Sequence, residues 1–370
     1  MNETPSPSPG QHPCHQCGAR LSYAPGTSKL VCEYCGAEQI IQSAQQPAAV
    51  EETDYRRFLS ETDLSEEQKQ QVHTIKCPSC GANSTLRPNL SADRCPYCDT
   101  PLVVENRATS TLIKPRYLLP FKIDRTAARQ AFRRWLAGLW FAPGTLKLHA
   151  DNAGKLNGVY VPYWTYDADT LSFYTGERGD DYTERYTETV DGKTVEQTRT
   201  HTQWTSVSGS VGHRFDDVLV VASKALPHEQ TQALEPWDLH NLTPYDESFL
   251  EGFRAETYQV GLEQGFDEAR TFMDSVIRRR ICADIGGNHQ RIHSVNTGYQ
   301  AVSFKHLLLP IWISAYRYSG KVYRFVINAR SGEVQGERPY SWIKISLAVL
   351  TAAALAGAIW YLNEVRLGRL

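Results

Sequence analysis

Eight of the nine cysteines are the residues whose type and spacing can do chemistry. Cys14, Cys17, Cys32 and Cys35 form one set, and Cys77, Cys80, Cys95 and Cys98 form a second. Both read C-x2-C-x14-C-x2-C, and each member of the second set follows its counterpart by 63 residues (14 to 77, 35 to 98). A C-x2-C pair places two thiolates on one tight turn, and two such knuckles can close a tetrahedron about 2.3 Å from a zinc ion. Iron is the competing metal for a four-thiolate site. Four thiolates fill the coordination shell and leave no position for water or substrate, so the expected role of both sites is structural, not catalytic. Gly18, Gly36 and Gly81 follow the second cysteine of three knuckles, where the turn needs positive φ; Asp99 takes that place in the fourth. His12 and His15 lie beside the first knuckle as surplus groups, and Cys282 has no matching thiol in its apolar helical stretch, where it reads as a buried hydrophobe.

Other chemistry is hard to find. Ala153-Gly154-Lys155 lacks the upstream glycine and following hydroxyl of a phosphate-binding loop. His289 and His293 are four apart but follow Gly286-Gly287, so on a strand they share a face without a third ligand. No nucleophile elbow, zincin motif or kinase signature occurs, and a non-enzyme is expected. Nucleic-acid binding is also disfavoured. Arg20 and Lys29 balance Glu3 and Glu33 in the first ribbon; Lys76, Arg87, Arg94 and Arg107 exceed Asp93, Asp99 and Glu105 by one in the second. The whole chain carries 39 basic and 41 acidic residues.

The elements that position these groups fall in order along 370 residues. Residues 1–40 are expected as zinc ribbon 1 and 41–73 as a linker, flexible apart from a short helix over 63–73 capped near Ser60. Residues 74–108 read as zinc ribbon 2, and 109–340 as a strand-rich body rich in Tyr, Trp, Val and Thr. Within the body, Asp124 caps a helix over 125–140 and a second helix covers 263–284. Val159 to Tyr166 reads as a strand with its return at Leu171 to Thr175, and Leu307 to Ile313 as a strand that turns at Ser319-Gly320 into Val322 to Asn328. Val161-Pro162-Tyr163-Trp164 and Leu309-Pro310-Ile311-Trp312 each follow a long helix and precede a return strand, which suggests a duplicated helix-plus-hairpin unit. A proline cannot donate to a ladder, so each is expected at an edge or a bulge. Asp191-Gly192 is a two-residue hairpin signal; it pairs Val190 with Lys193 and sets Glu184 opposite Arg199 on a projecting polar ribbon.

The chain ends in an apolar stretch, 343–362, in which Ile345 to Leu362 carries no charge. Eighteen helical residues cover about 27 Å, close to a hydrocarbon core of about 30 Å. Trp342, Trp360 and Tyr361 suit the membrane–water boundary, and Lys344 and Arg366 can snorkel. Ala348, Ala352 and Ala356 recur at a spacing that permits self-association of spans. The first ten residues have neither a basic n-region nor an apolar run, so no signal peptide is expected and the body is placed in the cytoplasm. Nine cysteines there argue for reduced or metal-bound thiolates.

The two cysteine sets, the strand-rich middle and the hydrophobic end together resemble a bacterial family of TFIIB-type zinc-ribbon membrane proteins. Val326-Ile-Asn-Ala-Arg-Ser-Gly-Glu-Val-Gln-Gly-Glu337 is similar to a strand–turn–strand ending in that family. Its members are neighbours of SPFH (flotillin-like) and PspA-like proteins of envelope-stress operons, and are often labelled primosomal protein N′, a superfamily II helicase. This chain has no helicase motor. The resemblance implies an adaptor that gathers SPFH or PspA-like partners at the cytoplasmic membrane. It carries over the eight cysteines as ligands and no catalytic residue. The expected protein is α+β: two N-terminal zinc ribbons holding two structural Zn2+, a body, and one single-pass C-terminal anchor in the inner-membrane bilayer. The competing class is a DNA-replication (primosome-type) accessory protein that binds nucleic acid through its ribbons.

Overall fold

The computed structural model describes residues 13–45, 50–60, 69–85, 92–98, 100–103, 107–143, 156–190, 193–318, 321–338 and 340–366. Three long antiparallel strands carry the body: β11 (Asn157–Val190), β12 (Lys193–Val221) and β15 (His289–Tyr318). Val190 pairs with Lys193 and Glu184 with Arg199, as the Asp191-Gly192 signal requires, although that turn lies outside the described residues. The expected return strand at Leu171 to Thr175 is wrong. β11 runs straight through it, because a bulge between Tyr166 and Ala168 absorbs the irregularity and the Asp167 carboxylate accepts the Asp217 N–H at 2.6 Å. The second hairpin forms as expected, with β15 returning as β16 (Lys321–Asn328); Ser319-Gly320 lies outside the described residues.

β11 and β15 lie side by side at the centre, with Val161 opposite Leu309. About that point the structure repeats itself. Each long strand has its hairpin partner on its outer edge, β12 beside β11 and β16 beside β15. Each is also met in parallel by a two-residue strand from the other half: β10 (Tyr117–Leu118) pairs with Leu307–Leu308, and β14 (Arg254–Ala255) with Val159–Tyr160. The Trp164 indole donates to Val260 O at 2.9 Å, and the Trp312 indole to Ile123 O at 2.8 Å. Ala222 N donates to Pro162 O at 2.9 Å, and Ala329 N to Pro310 O at 3.1 Å. Equivalent positions advance by 148 residues on the long strands (164 to 312) and 137 on the segments entering the helices (123 to 260). The expected repeat is therefore present, but its halves are exchanged, each closing the other.

This exchange corrects the reading of both prolines. Neither lies on an edge strand, nor at a bulge. Pro162 sits in the gap between β14, whose last residue pairs with Tyr160, and β12, whose last residue Val221 pairs with Tyr163; Pro310 sits in the matching gap between β10 and β16. Its missing N–H faces that gap, so no ladder bond is lost.

Two helices cover one face of the sheet. α2 (Arg125–Gly138) starts where Asp124 accepts the Ala127 N–H at 2.7 Å, and Phe132 stacks on Phe325 with ring centroids 3.8 Å apart. α4 (Leu262–Ile285) packs Met273, Ile277, Ile281 and Ile285 over Trp164, Tyr166 and Tyr174. α4 is the longer because it covers the longer β11–β12 hairpin. Cys282 on this helix is half-buried, with no thiol partner among the described residues, not a fully buried hydrophobe.

The segment expected as a flexible tether is held to the body. β4 (Thr53–Asp54) pairs with Ser303 and Phe304, and Phe58 of α1 (Tyr55–Ser60) joins the core under α4. The expected helix over 63–73 is wrong for its described part, since β5 (Lys69–Lys76) is a strand pairing with β9 (Arg107–Ile113); residues 61–68 lie outside the described set. Val72, Thr74 and Ile75 favour the pleat. The C-terminal helix α5 (Trp342–Arg366) has a 22-residue stretch, Trp342–Asn363, of mean hydropathy 2.0, and none of it is buried against the body.

Candidate metal centres

Each cysteine set converges. In the first, Cys14 Sγ lies 3.5 Å from Cys35 Sγ and Cys17 Sγ 3.6 Å from Cys32 Sγ; in the second, Cys77–Cys98 and Cys80–Cys95 are both at 3.5 Å. All four sulfurs of each set lie within 4.8 Å of one another. Sulfurs about 2.3 Å from one tetrahedral ion stand about 3.8 Å apart, so both sets fit a four-coordinate metal.

The knuckles explain the convergence. Gly18 N donates to Cys14 O at 2.8 Å, Gly36 N to Cys32 O at 2.9 Å and Gly81 N to Cys77 O at 2.9 Å. All three glycines have φ between +72° and +76°. In the fourth knuckle Cys95 N donates to Thr100 O at 2.9 Å, while Asp99 lies outside the described residues. These turns aim N–H groups at sulfur. The N–H groups of Cys35 and Tyr34 lower the Cys32 thiol to about 7. Cys80 falls to about 5 through the hydrogen bond from Cys95, helped by the Ala82 N–H. Cys35, whose sulfur faces Cys14 and Cys17, is pushed up to about 12. Cys14 is lowered as well, by the N–H groups of Gln16 and Cys17, while Cys17 and, in the second set, Cys77 and Cys95 are raised. Each set therefore combines thiols that ionise readily with others that resist it, an arrangement that a divalent cation completes.

Both ribbons are built into the body. Ribbon 1, a three-stranded sheet of β1 (Leu21–Tyr23), β2 (Lys29–Cys32) and β3 (Glu38–Ile40), packs with α2 and Trp312 on the helical face. Gly26 N donates to Phe121 O at 2.8 Å, just before α2. Ribbon 2 packs Ile75, Cys77, Cys95 and Tyr97 on the opposite face, against Val159, Val161 and Ile311. Thr85 Oγ1 donates to Ala255 O and Gln259 Nε2 to Gly81 O, both at 2.8 Å, just before α4. Each cysteine cluster therefore braces the segment entering one helix.

Spacing alone did not point to the buried polar groups below. Glu256 is 3% exposed and accepts from Tyr97 Oη at 2.5 Å and Ser223 Oγ at 2.8 Å; burial pushes it up to about 7. Glu52, Asp167 and Asp216 bring carboxylate oxygens within 4.8 Å of one another. There Lys305, 3% exposed, already supplies the cation: its Nζ is 2.7 Å from Asp217, 3.0 Å from Glu52 and 3.7 Å from Asp167. Burial lowers Lys305, but these carboxylates outweigh it and the net shift is upward. Burial and the neighbouring Glu52 raise Asp167 to about 7.

Among the described residues no histidine joins the thiolate sites. His15 is exposed beside its knuckle, and His12 lies outside the described residues. His289 faces Asp181 at 3.0 Å and His293 faces Glu177 at 3.7 Å on the surface. His306 is buried, lowered by burial to about 4, and its Nδ1 lies 3.0 Å from Ile113 O.

No family model matches this chain, and no solved structure matches it. A Bacillus subtilis (strain 168) protein described as the uncharacterized protein YdjG is 26% identical over 249 residues, 63% of this chain and 66% of the relative. The match spans just under two thirds of each protein.

Proposed function

We propose that this protein is a membrane-anchored, non-catalytic zinc-ribbon adaptor that recruits protein partners to the cytoplasmic membrane surface. The observation that carries this reading is α5, none of whose apolar stretch is buried. A soluble fold would not leave 22 residues of that hydropathy in water, whereas a bilayer satisfies them. Zinc is the proposed metal: it suits four thiolates in a tetrahedron, and such a shell has no site for a substrate. The partners are SPFH (flotillin-like) or PspA-like proteins, as the family resemblance implies.

An available protein-docking edge supports recruitment. Strand β12 pairs with β11 alone among the described residues, so its outer edge has no neighbouring strand. Along residues 213–221 that edge lines a groove of about 540 Å³ between α3 (His228–Gln232) and the Glu268, Phe272 and Val276 side of α4. An extended segment can join a sheet there.

Affinity purification of the full chain from detergent-solubilised membranes tests the reading. SPFH or PspA-like proteins should co-elute at near-stoichiometric amounts. Salt-sensitive capture of DNA without such partners would overturn it in favour of the replication class.

A further inference from the structure

The anchor is not simply appended to the body. The Ser341 N–H donates to Phe141 O at 2.8 Å, and the Lys344 amine donates to Ala142 O at 2.7 Å and Trp140 O at 3.3 Å. The loop that follows α2 is thereby fixed beside the first turn of α5. Lys344 lies only two residues into the apolar stretch, about 3 Å along its axis, so this loop stands where the helix would enter a membrane.

What the loop presents is unusual for a surface facing water. Leu139 and Ala142 are buried and hold it in place, while Trp140 between them is 81% exposed and Phe141 is 41% exposed. Tyr340 and Trp342, the exposed neighbours of Ser341, add two more aromatic residues beside this contact. Residues 125–143 contain four arginines and no acidic residue. Arg129, Arg133 and Arg134 lie on the exposed side of α2, opposite Ala128, Ala131, Phe132 and Leu136 in the core. Indole rings favour the headgroup region, and arginines near an anionic surface gain from phospholipid charge.

We propose that the Trp140–Phe141 loop and the arginine face of α2 form a second membrane contact. It rests the body against anionic phospholipids of the same bilayer that holds α5. The occupant follows from continuity with the anchor and from the exposed Arg129 and Arg134 on the same helix; a soluble acidic protein would leave Trp140 without an apolar medium. This contact rests on the reading of α5 as a membrane span. It fixes which side of the body faces lipid and so turns a single tether into a two-point attachment.

Full-length protein in vesicles containing a trace of diazirine-labelled phospholipid tests this directly. After photolysis, mass spectrometry maps the lipid adducts. In vesicles rich in phosphatidylglycerol, adducts should form within residues 139–143 as well as along α5. Replacing phosphatidylglycerol by phosphatidylcholine, or introducing Arg129→Gln with Arg134→Gln, should cut the loop adducts roughly fivefold or more while leaving the α5 adducts unchanged. Adducts confined to α5, or loop adducts indifferent to lipid charge, would overturn the proposal and leave the anchor standing. Adducts on neither segment would overturn the anchor as well.

Discussion

Substituting Lys305 by Met removes a buried cation from a group of carboxylates in which Asp167 is buried while Glu52 and Asp217 reach solvent. Its amine lies 2.7 Å from Asp217, 3.0 Å from Glu52 and 3.7 Å from Asp167, and its side chain is 4% exposed. Breaking a fully buried ion pair from one side costs about 3–5 kcal/mol; Glu52 and Asp217 keep contact with water, which places this site at the low end, about 3 kcal/mol. For a body of this size that corresponds to a fall in Tm of roughly 6–12 °C. The loss should depend on pH in a defined direction. Asp167 holds its proton more tightly folded, at about 7, than unfolded, near 4. Its contribution is therefore fully present below about pH 4 and is lost as pH rises through 7. Without Lys305 Asp167 holds its proton more tightly still, so the Lys305→Met deficit should shrink at pH 5 and be full at pH 8. Thermal unfolding in detergent, followed by tryptophan fluorescence at both pH values, reads this out. Adding Asp217→Asn should recover part of the loss. A deficit below about 1 kcal/mol, or one equal at the two pH values, would refute the assignment of Lys305 as the internal counter-ion.

Further outcomes follow from the same geometry. Trp164→Phe and Trp312→Phe each orphan a carbonyl at equivalent points of the exchanged halves, so each should cost about 1–3 kcal/mol and the two should agree within about 1 kcal/mol in denaturant melts. Tyr97→Phe removes a donor from Glu256, whose folded value of about 7 exceeds its unfolded one. Its destabilisation should therefore be larger at pH 8 than at pH 5, and an equal loss would count against this hydrogen bond. Purified protein should hold two zinc ions per chain by elemental analysis, and X-ray absorption should show sulfur alone at about 2.3 Å. Because Cys77 and Cys95 pack in the body's core, Cys77→Ser with Cys80→Ser should lower the Tm of the body as well as the zinc content; an unchanged body Tm would show the ribbon to be an independent module.

Much of this was readable in the residues, and what was not has identifiable causes. The cysteine knuckles could be read because C-x2-C with a following glycine is a local geometry, fixed within five residues. The register of β11 with β12 could be read because Asp191-Gly192 admits one turn class, and everything outward follows by counting. Asp124 marked α2 because an N-cap bonds within three residues. The continuation of β11 through Asp167 could not be read, since its bulge is stabilised by Asp217, fifty residues on. Nor could the exchange of halves, for which β10 and β14 supply only two residues each. Lys305 draws its partners from positions 52, 167 and 217, which share no local pattern. The docking of both ribbons has the same cause: Gly26 meets Phe121, and Thr85 meets Ala255, only after the sheet has formed.

Retention of the full chain in the membrane fraction after an alkaline carbonate wash tests the attachment through α5 most directly. The protein should stay in the pellet, and a chain lacking residues 342–366 should be released. Full-length protein in the supernatant as a monodisperse species would contradict the account.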